Sequence, residues 1–339
     1  YSALTAFGMT PATVAGFPVR ELLAAGQQAA DASRSSNDAL TLGILLAEAA
    51  SAGRDKLTIV ADPSLGRVEL WLEQLVAEST GKQGTGILPV AGEQGGSGAR
   101  FGEDRVVLRL RDAAAPAAAL DEFAATLEAQ GAPNATIDVD GPSGLGAIFF
   151  ITELATAVAG WRLGINPFDQ PNVQEAKDAT KAVLGDGTSE VVLPSVTVRE
   201  AAETILGGLS APEFVAVLAY VAPSPSVDQA ASRLQAALRD ASGAAVTFGY
   251  GPRYLHSTGQ LHKGGPPRGR FLLVVDDAAP DVAIPGSPFG FRTLAHAQAL
   301  GDLRTLHAHQ LTATLVTTGA AAAETLHELA DHAARAAGG

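Results

Sequence analysis

The segment 249–270, GYGPRYLHSTGQLHKGGPPRGR, sets His256 and His262 and the cations Arg253, Lys263, Arg268 and Arg270 among closely spaced glycines. Histidine exchanges protons near neutral pH without a large shift, the cations draw an anion, and glycine lets a backbone approach a ligand closely. Two readings stand side by side, a charged surface loop and an arm that handles protons or an anion. A second candidate is Glu78 in LVAESTGK. It falls at the end of a helical pattern, where the negative end of the macrodipole raises the energy of a carboxylate and favours a general-base role. A solvated glutamate at a helix end is the other reading. The third is 164–181, GINPFDQPNVQEAKDATK. Here Pro167 and Pro171 fix a turn around Asn166, Asp169 and Gln170, and a helix then carries Lys177 one turn beyond Val173. A lysine so placed also reads as a solvated side chain. No metal site is expected, because His256 and His262 are not spaced for one helix face and have no adjacent carboxylate.

These segments must be held by a scaffold of alternating strands and helices. Helical spacing runs from residue 12 to about 52, with Asn37 or Asp38 as a cap before Leu40, Ile44 and Leu45. The run LTIVA at 57–61 suits a buried parallel strand. After Asp62-Pro63 a helix follows, with apolar positions Leu65, Val68, Leu72, Leu75 and Val76, and Gly81 as its stop. Strands are expected at 87–90, 106–110 and 135–139, with a helix at 117–130, and the Gly-rich loop 93–101 reads as flexible rather than phosphate-binding. Helices are expected at 145–160 and about 196–206. A second alternating unit has strands at 214–220, 245–248, 270–275 and 311–316, helices at 227–241 and 293–306, and a last helix from 320. Residues 253–255 read as strand-like. No short internal repeat is visible. The pattern predicts an α/β protein with open, doubly wound parallel sheets and helices on both faces, ligands sitting at strand carboxyl ends. The expected division is a helical lead-in over 1–55, an α/β unit over 56–210 with the glutamate and lysine motifs, and a second α/β unit over 211–339 with the histidine motif.

Composition narrows the partners. The chain has 339 residues, 47% of them hydrophobic, enough for a substantial core. The longest apolar run, about 145–158, contains Thr152 and Glu153 and falls short of the roughly 20 residues a span needs, so no membrane partner is expected. A net charge of −13 argues against nucleic acid. With no cysteine there is no disulfide and no thiolate chemistry, which fits a reducing compartment. The first residue is Tyr, which reads as a piece of a longer chain.

Four strings together resemble the glucose-6-phosphate isomerases: EQLVAESTGKQGTGILPV at 73–90, LGINPFDQPNVQEAK at 163–177, FGYGPRYLHSTGQLHKGGPPRGRF at 248–271, and PGSPFGFRTLAHAQALGDL at 285–303. The histidine string follows the lysine string, an order that is most similar to the branch fused to transaldolase. The resemblance implies sheets of the sugar isomerase (SIS) type and an aldose-ketose isomerisation between glucose 6-phosphate and fructose 6-phosphate through a cis-enediol, with no metal or redox cofactor, in the cytoplasm. By motif, Glu78 would move the proton between C2 and C1, His256 would open the ring, and Lys177 would share in ring opening and steady the developing charge. Gln170, Arg253, Gln260 and Lys263 would orient the sugar phosphate. The resemblance also implies a homodimer in which His256 or His262 serves a neighbouring subunit's site, and a transaldolase domain in the full-length chain.

Departures qualify the comparison. In the family an arginine used in the active site lies just upstream of the string matched by YSALTAFG, before Tyr1 here. No Ser/Thr-rich SKSGTT-like run occurs, so the domain that binds the substrate phosphate is expected outside this sequence. Asn172 stands where many members have Gly, and Gln174 where many have Glu. Two other functions remain open at this point: a sugar-phosphate-binding module without turnover, and an isomerase acting on both glucose and mannose phosphates.

Overall fold

The computed structural model describes residues 1–95, 99–169, 173–185 and 191–337, with the side chains of 173, 174, 176, 177 and 337 outside the description. The chain forms two compact units, Tyr1–Gly92 with Glu103–Asp169, and Glu93–Gly102 with Gln170–Gly339.

The first unit contains helices α1 (Ala6–Val14), α2 (Val19–Ala32) and α3 (Asp38–Ser51), strand β1 (Lys56–Ala61), helix α4 (Val68–Thr80), strands β2 (Leu88–Ala91) and β3 (Arg105–Asp112), helix α5 (Ala118–Ala129), strand β4 (Asn134–Val139) and helix α6 (Leu145–Arg162). Its sheet is parallel throughout, in the order β2-β1-β3-β4. Strands covered on both faces read as continuous apolar runs, and β1 is buried from Lys56 to Val60. On one face Leu57, Ile59, Val106, Leu108 and Leu110 pack with Leu72 and Val76 of α4 and Ile148 and Ala155 of α6. On the other, α5 packs against β1 and β3. Helix α6 also receives α2 and α3, and Gly146 makes the α2 contact possible, because a methyl group there would sit 1.8 Å from the Leu22 carbonyl oxygen.

The second unit contains helices α7 (Val173–Leu184) and α8 (Val198–Leu206), strand β5 (Phe214–Tyr220), helix α9 (Pro225–Ser242), strand β6 (Ala245–Tyr250), a short 3-10 turn (Arg253–His256), helix α10 (Gly259–Gly264), strand β7 (Gly269–Val275), helix α11 (Phe291–Ala308), strand β8 (Thr312–Thr317) and helix α12 (Ala322–Ala337). Its sheet has the order β6-β5-β7-β8, again all parallel. The two units therefore share one topology, a duplication invisible as sequence repetition. Val215, Val217 and Ala219 of β5 point to α8, α9 and α12. Side chains alternate across a strand, and α11 takes the opposite face. Local signals fix the helix starts: Thr197 and Glu200 form a reciprocal capping box for α8, and the Ser224 hydroxyl accepts from Val227 N to start α9.

The expected α/β class with open parallel sheets holds. The three-part division differs from the observed units. Helices α1 to α3 are not a lead-in, since α2 and α3 pack on α6, and α8 packs on β7, β8 and α12, which moves the boundary from 210 back to 169. Residues 93–102 join the second unit because Gly102 N donates to Gly243 O (2.8 Å) and the Arg239 guanidinium lies 4.8 Å over the Phe101 ring. The stretch 253–255 is a 3-10 turn, not a strand, because Tyr254 turns inward to anchor it. The apolar stretch expected over 145–158 is longer than that. Pro142–Arg162 is long and apolar enough to cross a membrane by length and composition, and in this structure its helix packs against α2, α3 and α4.

Candidate active site

Glu78 lies in the last turn of α4, half-buried, with Gln74 Nε2 donating to its Oε2 at 3.2 Å. Helix α4 runs back from the end of β1 to the start of β2, so Glu78 stands at the amino-terminal edge of the first sheet. The expectation that ligands meet strand carboxyl ends does not describe this residue. In the first unit that carboxyl edge is occupied by the protein's own bonds. Asp62, fully buried after β1, accepts from Arg109 Nη2 (2.6 Å), Asp112 N (2.8 Å) and Ala117 N (3.1 Å). Burial pushes the Asp62 carboxyl up, but the Arg109 guanidinium and the two backbone donors outweigh it and hold it below the usual carboxylate range.

Around Glu78 the chain is closely determined. Thr80 Oγ1 donates to Val76 O (2.7 Å) and accepts from Ile87 N (3.0 Å), closing the loop after α4. Inside it, Lys82 and Thr85 exchange backbone bonds across a turn with positive φ at Gln83 (57°) and Gly84 (75°). That turn drives the Lys82 side chain inward, where it is 1% exposed. Its ammonium donates to Asn166 O (2.9 Å), Asp169 Oδ1 (3.0 Å) and the Asp169 carbonyl. Asn166 Oδ1 in turn accepts from Phe168 N (3.1 Å), shaping the turn that Pro167 was expected to fix. The Phe168 ring packs on Tyr1, with centroids 4.7 Å apart. The Tyr1 hydroxyl is hydrogen-bonded to Ser79. Burial pushes that phenol up to about 12, Ser79 opposes the shift and the Glu153 charge adds to it. Three strings distant in sequence, YSALTAFG, ESTGK and INPFD, thus meet at one point of the first unit.

The second unit sorts the residues of the Gly-rich segment. Arg253 and His256 are exposed on the 3-10 turn, while Tyr254 between them is 2% exposed. The Tyr254 hydroxyl donates to Asp302 Oδ2 (2.7 Å) and lies 3.2 Å from the Tyr220 hydroxyl. Burial first, then the Asp302 charge, push both phenols well above their ordinary range and keep them protonated. Lys263 Nζ is 2.6 Å from Asp302 Oδ1, both side chains 2% exposed. Asp302 of α11 therefore fastens both the turn and α10 from inside. Gln260 is buried beside them. Gln260 and Lys263, expected to orient a sugar phosphate, belong to the core here, and the Lys263 charge is matched by Asp302. His262 is also internal, its ring 5.0 Å from Phe271, and neither ring nitrogen has a hydrogen-bond partner among the described residues. Burial, reinforced by the Lys263 charge, pushes its pKa down to about 3, so it is neutral.

Helix α7, which carries Lys177, packs against α11 and the 3-10 turn, and Glu175 Oε1 is 2.8 Å from His309 Nε2. The second unit therefore places the backbone segment of Lys177 beside that of His256. The Lys177 side chain and Gln170 lie outside the described residues. Among the described residues no group of His, Asp and Glu is arranged to hold a metal ion. Two anchoring residues escaped the motif reading. Lys82 stood within the ESTGK string four positions beyond Glu78, and Asp302 was the one carboxylate in the buried pattern of QALGDL.

No family model matches the chain. It is similar to proteins named glucose-6-phosphate isomerase. The one from Exiguobacterium sibiricum is 28% identical over 55% of this chain and 50% of its own length. Those from Heliobacterium modesticaldum and Rubrobacter xylanophilus are each 30% identical over 55% of this chain, covering 51% and 52% of their own lengths. The chain spans about half the length of the curated relatives it matches, so it resembles part of a glucose-6-phosphate isomerase. A hypothetical protein from Thermus thermophilus aligns over 92% of this chain and 88% of its own at 16% identity, with a TM-score of 0.33, too distant to locate a site.

Proposed function

We propose that the chain carries catalytic residues of an aldose-ketose isomerase acting on a hexose 6-phosphate, glucose 6-phosphate and fructose 6-phosphate being the pair its relatives' name supplies. The observation that carries the reading is the Lys82 anchorage, which holds the ESTGK and INPFD strings together while leaving the Glu78 carboxylate half-exposed at a helix end. Glu78 takes the proton from C2 of the open-chain aldose as O1 gains one, giving the cis-enediol. Glu78 then delivers a proton to C1 while O2 loses its own, and exchange of the carboxyl proton with water before delivery lets solvent hydrogen reach C1. A carboxylate in this role needs neutral or cationic partners to stabilise the developing charge. His256 and Lys177 are assigned to ring opening and to that stabilisation, and Arg253, exposed on the His256 turn, to contact with the substrate. The test is a coupled assay of fructose 6-phosphate conversion, run on the chain alone and on the chain joined to the N-terminal half of a glucose-6-phosphate isomerase. Turnover that disappears in Glu78→Gln is expected. Absence of turnover in the joined protein overturns the reading.

A sugar-phosphate-binding module without turnover is the second reading, favoured by the chain's spanning only about half of its relatives' length. Calorimetry separates the two. A catalyst binds a hydroxamate mimic of the enediolate far more tightly than 6-phosphogluconate, whereas a binding module holds both alike.

A further inference from the structure

A cavity of about 320 Å³ opens at the carboxyl ends of β7 and β8 in the second unit, within the size range of small-molecule sites. Carboxyl ends of parallel strands are where open α/β sheets receive ligands, and nothing in the isomerase reading uses this one. Arg292 and His296 lie one helical turn apart on α11 and form one side. Ser195, Asp277, Thr293 and Thr317 contribute the rest of the polar lining.

The hydrogen-bond capacity of this lining can be counted. His296 Nε2 is 3.0 Å from the Asp276 carbonyl oxygen. A carbonyl only accepts, so Nε2 carries a proton, and in the neutral ring Nδ1 is an acceptor. Asp277 Oδ1 accepts from Gly319 N (2.8 Å), which leaves Oδ2. Arg292 Nη1 donates to Ala279 O (2.9 Å), and the rest of its fork makes no hydrogen bond to the described residues. Ser195 Oγ accepts from Thr317 N (2.9 Å) and lies 3.3 Å from the Val196 carbonyl oxygen and 3.2 Å from Thr317 Oγ1, so this hydroxyl pair is partly engaged and Thr317 Oγ1 keeps acceptor capacity. The lining therefore offers both donors and acceptors, as neighbouring hydroxyl groups require.

Charge decides against an anion. Asp281 accepts from Arg292 N (2.9 Å) and Thr293 N (3.3 Å), and its bond from the Thr293 hydroxyl, outweighing some desolvation, holds it below the usual range, so it is ionised beside Arg292. With Asp277 it gives two carboxylates to one guanidinium, and a phosphate or carboxylate would be repelled. From these residues we infer that the cavity is a binding site for an uncharged sugar or polyol. The inference does not depend on the isomerase reading, whose substrate bears a phosphate.

The test is a titration of the whole chain with sorbitol and with methyl α-glucoside, following the amide signals of Thr293, Thr317 and Gly319 by NMR. Saturable shifts are expected with at least one of the two. Asp277→Asn, which keeps an acceptor for Gly319 N, is expected to weaken binding by about tenfold or more. Thr317→Val serves as a second variant in case Asp277→Asn does not fold, and Glu78→Gln is expected to bind like the wild type. The inference is overturned by the absence of saturable shifts with both compounds, by unchanged affinity in both folded cavity variants, or by tighter binding of sorbitol 6-phosphate at these amides.

Discussion

Lys82 and Asp169, 87 positions apart, are joined by a 3.0 Å ion pair in which the lysine is 1% exposed and the aspartate 52%. The half-exposed aspartate screens the purely ionic part, and the two backbone carbonyls that Lys82 also reaches give the contact its specificity. Replacing Lys82 by Met is predicted to cost about 1–3 kcal/mol of stability, measured by denaturant unfolding. Because the same side chain fixes the loop after Glu78, kcat/KM is predicted to fall between about tenfold and 100-fold. Unchanged kinetics in a destabilised K82M would separate this anchor from the chemistry.

Asp302 is the corresponding anchor in the second unit. Removing one partner of a buried ion pair leaves the other charge uncompensated, so Lys263→Met is predicted to destabilise by about 3–5 kcal/mol. The double variant with Asp302→Asn is predicted to lose less than the sum of the two single changes, read from a double-mutant cycle. Tyr254→Phe removes the hydroxyl bonds to Asp302 and Tyr220 and keeps the ring. It is predicted to leave the fold intact while shifting the NMR signal of the His256 ring, which rides on the same turn.

His262 predicts a pH dependence. Its folded pKa of about 3 lies below the ordinary value of 6.5, so between these values the unfolded chain binds the extra proton and stability falls as pH is lowered from about 6.5 towards 3. The full effect is on the order of 5 kcal/mol. His262→Leu is predicted to flatten the stability profile in that window by up to one proton, with no such difference above pH 7. A parallel profile for the two proteins would contradict the assignment of a neutral, buried ring.

Much of this architecture was legible because burial on both faces forces continuous apolar strands. FVAVLAY marked β5 at its observed bounds, and LTIVA marked all but the first residue of β1. The turn at Arg253–His256 was not legible, since alternation of polar and apolar residues resembles a strand and only the inward bond of Tyr254 to Asp302 decides otherwise. The duplicated strand order left no mark either, because topology constrains the pattern of burial and not residue identity. In the second unit His256 is exposed and in the first Glu78 is half-buried, whereas Lys263 and Gln260 turn inward. A charged type in a Gly-rich string carries no information about which neighbour will neutralise it.

Glu78→Gln preserves shape and the bond with Gln74 while removing the base. Its kcat is predicted to fall by about 100-fold to 10,000-fold with unfolding behaviour unchanged.

The most direct measurement is isotope exchange in D2O, following the C1 protons of fructose 6-phosphate by NMR with the chain joined to the N-terminal half of a glucose-6-phosphate isomerase. The account predicts deuterium entering at C1 in the wild type and its loss in Glu78→Gln. Equal exchange in the two proteins would contradict Glu78 as the residue that moves the proton, and no exchange in either would contradict isomerisation itself.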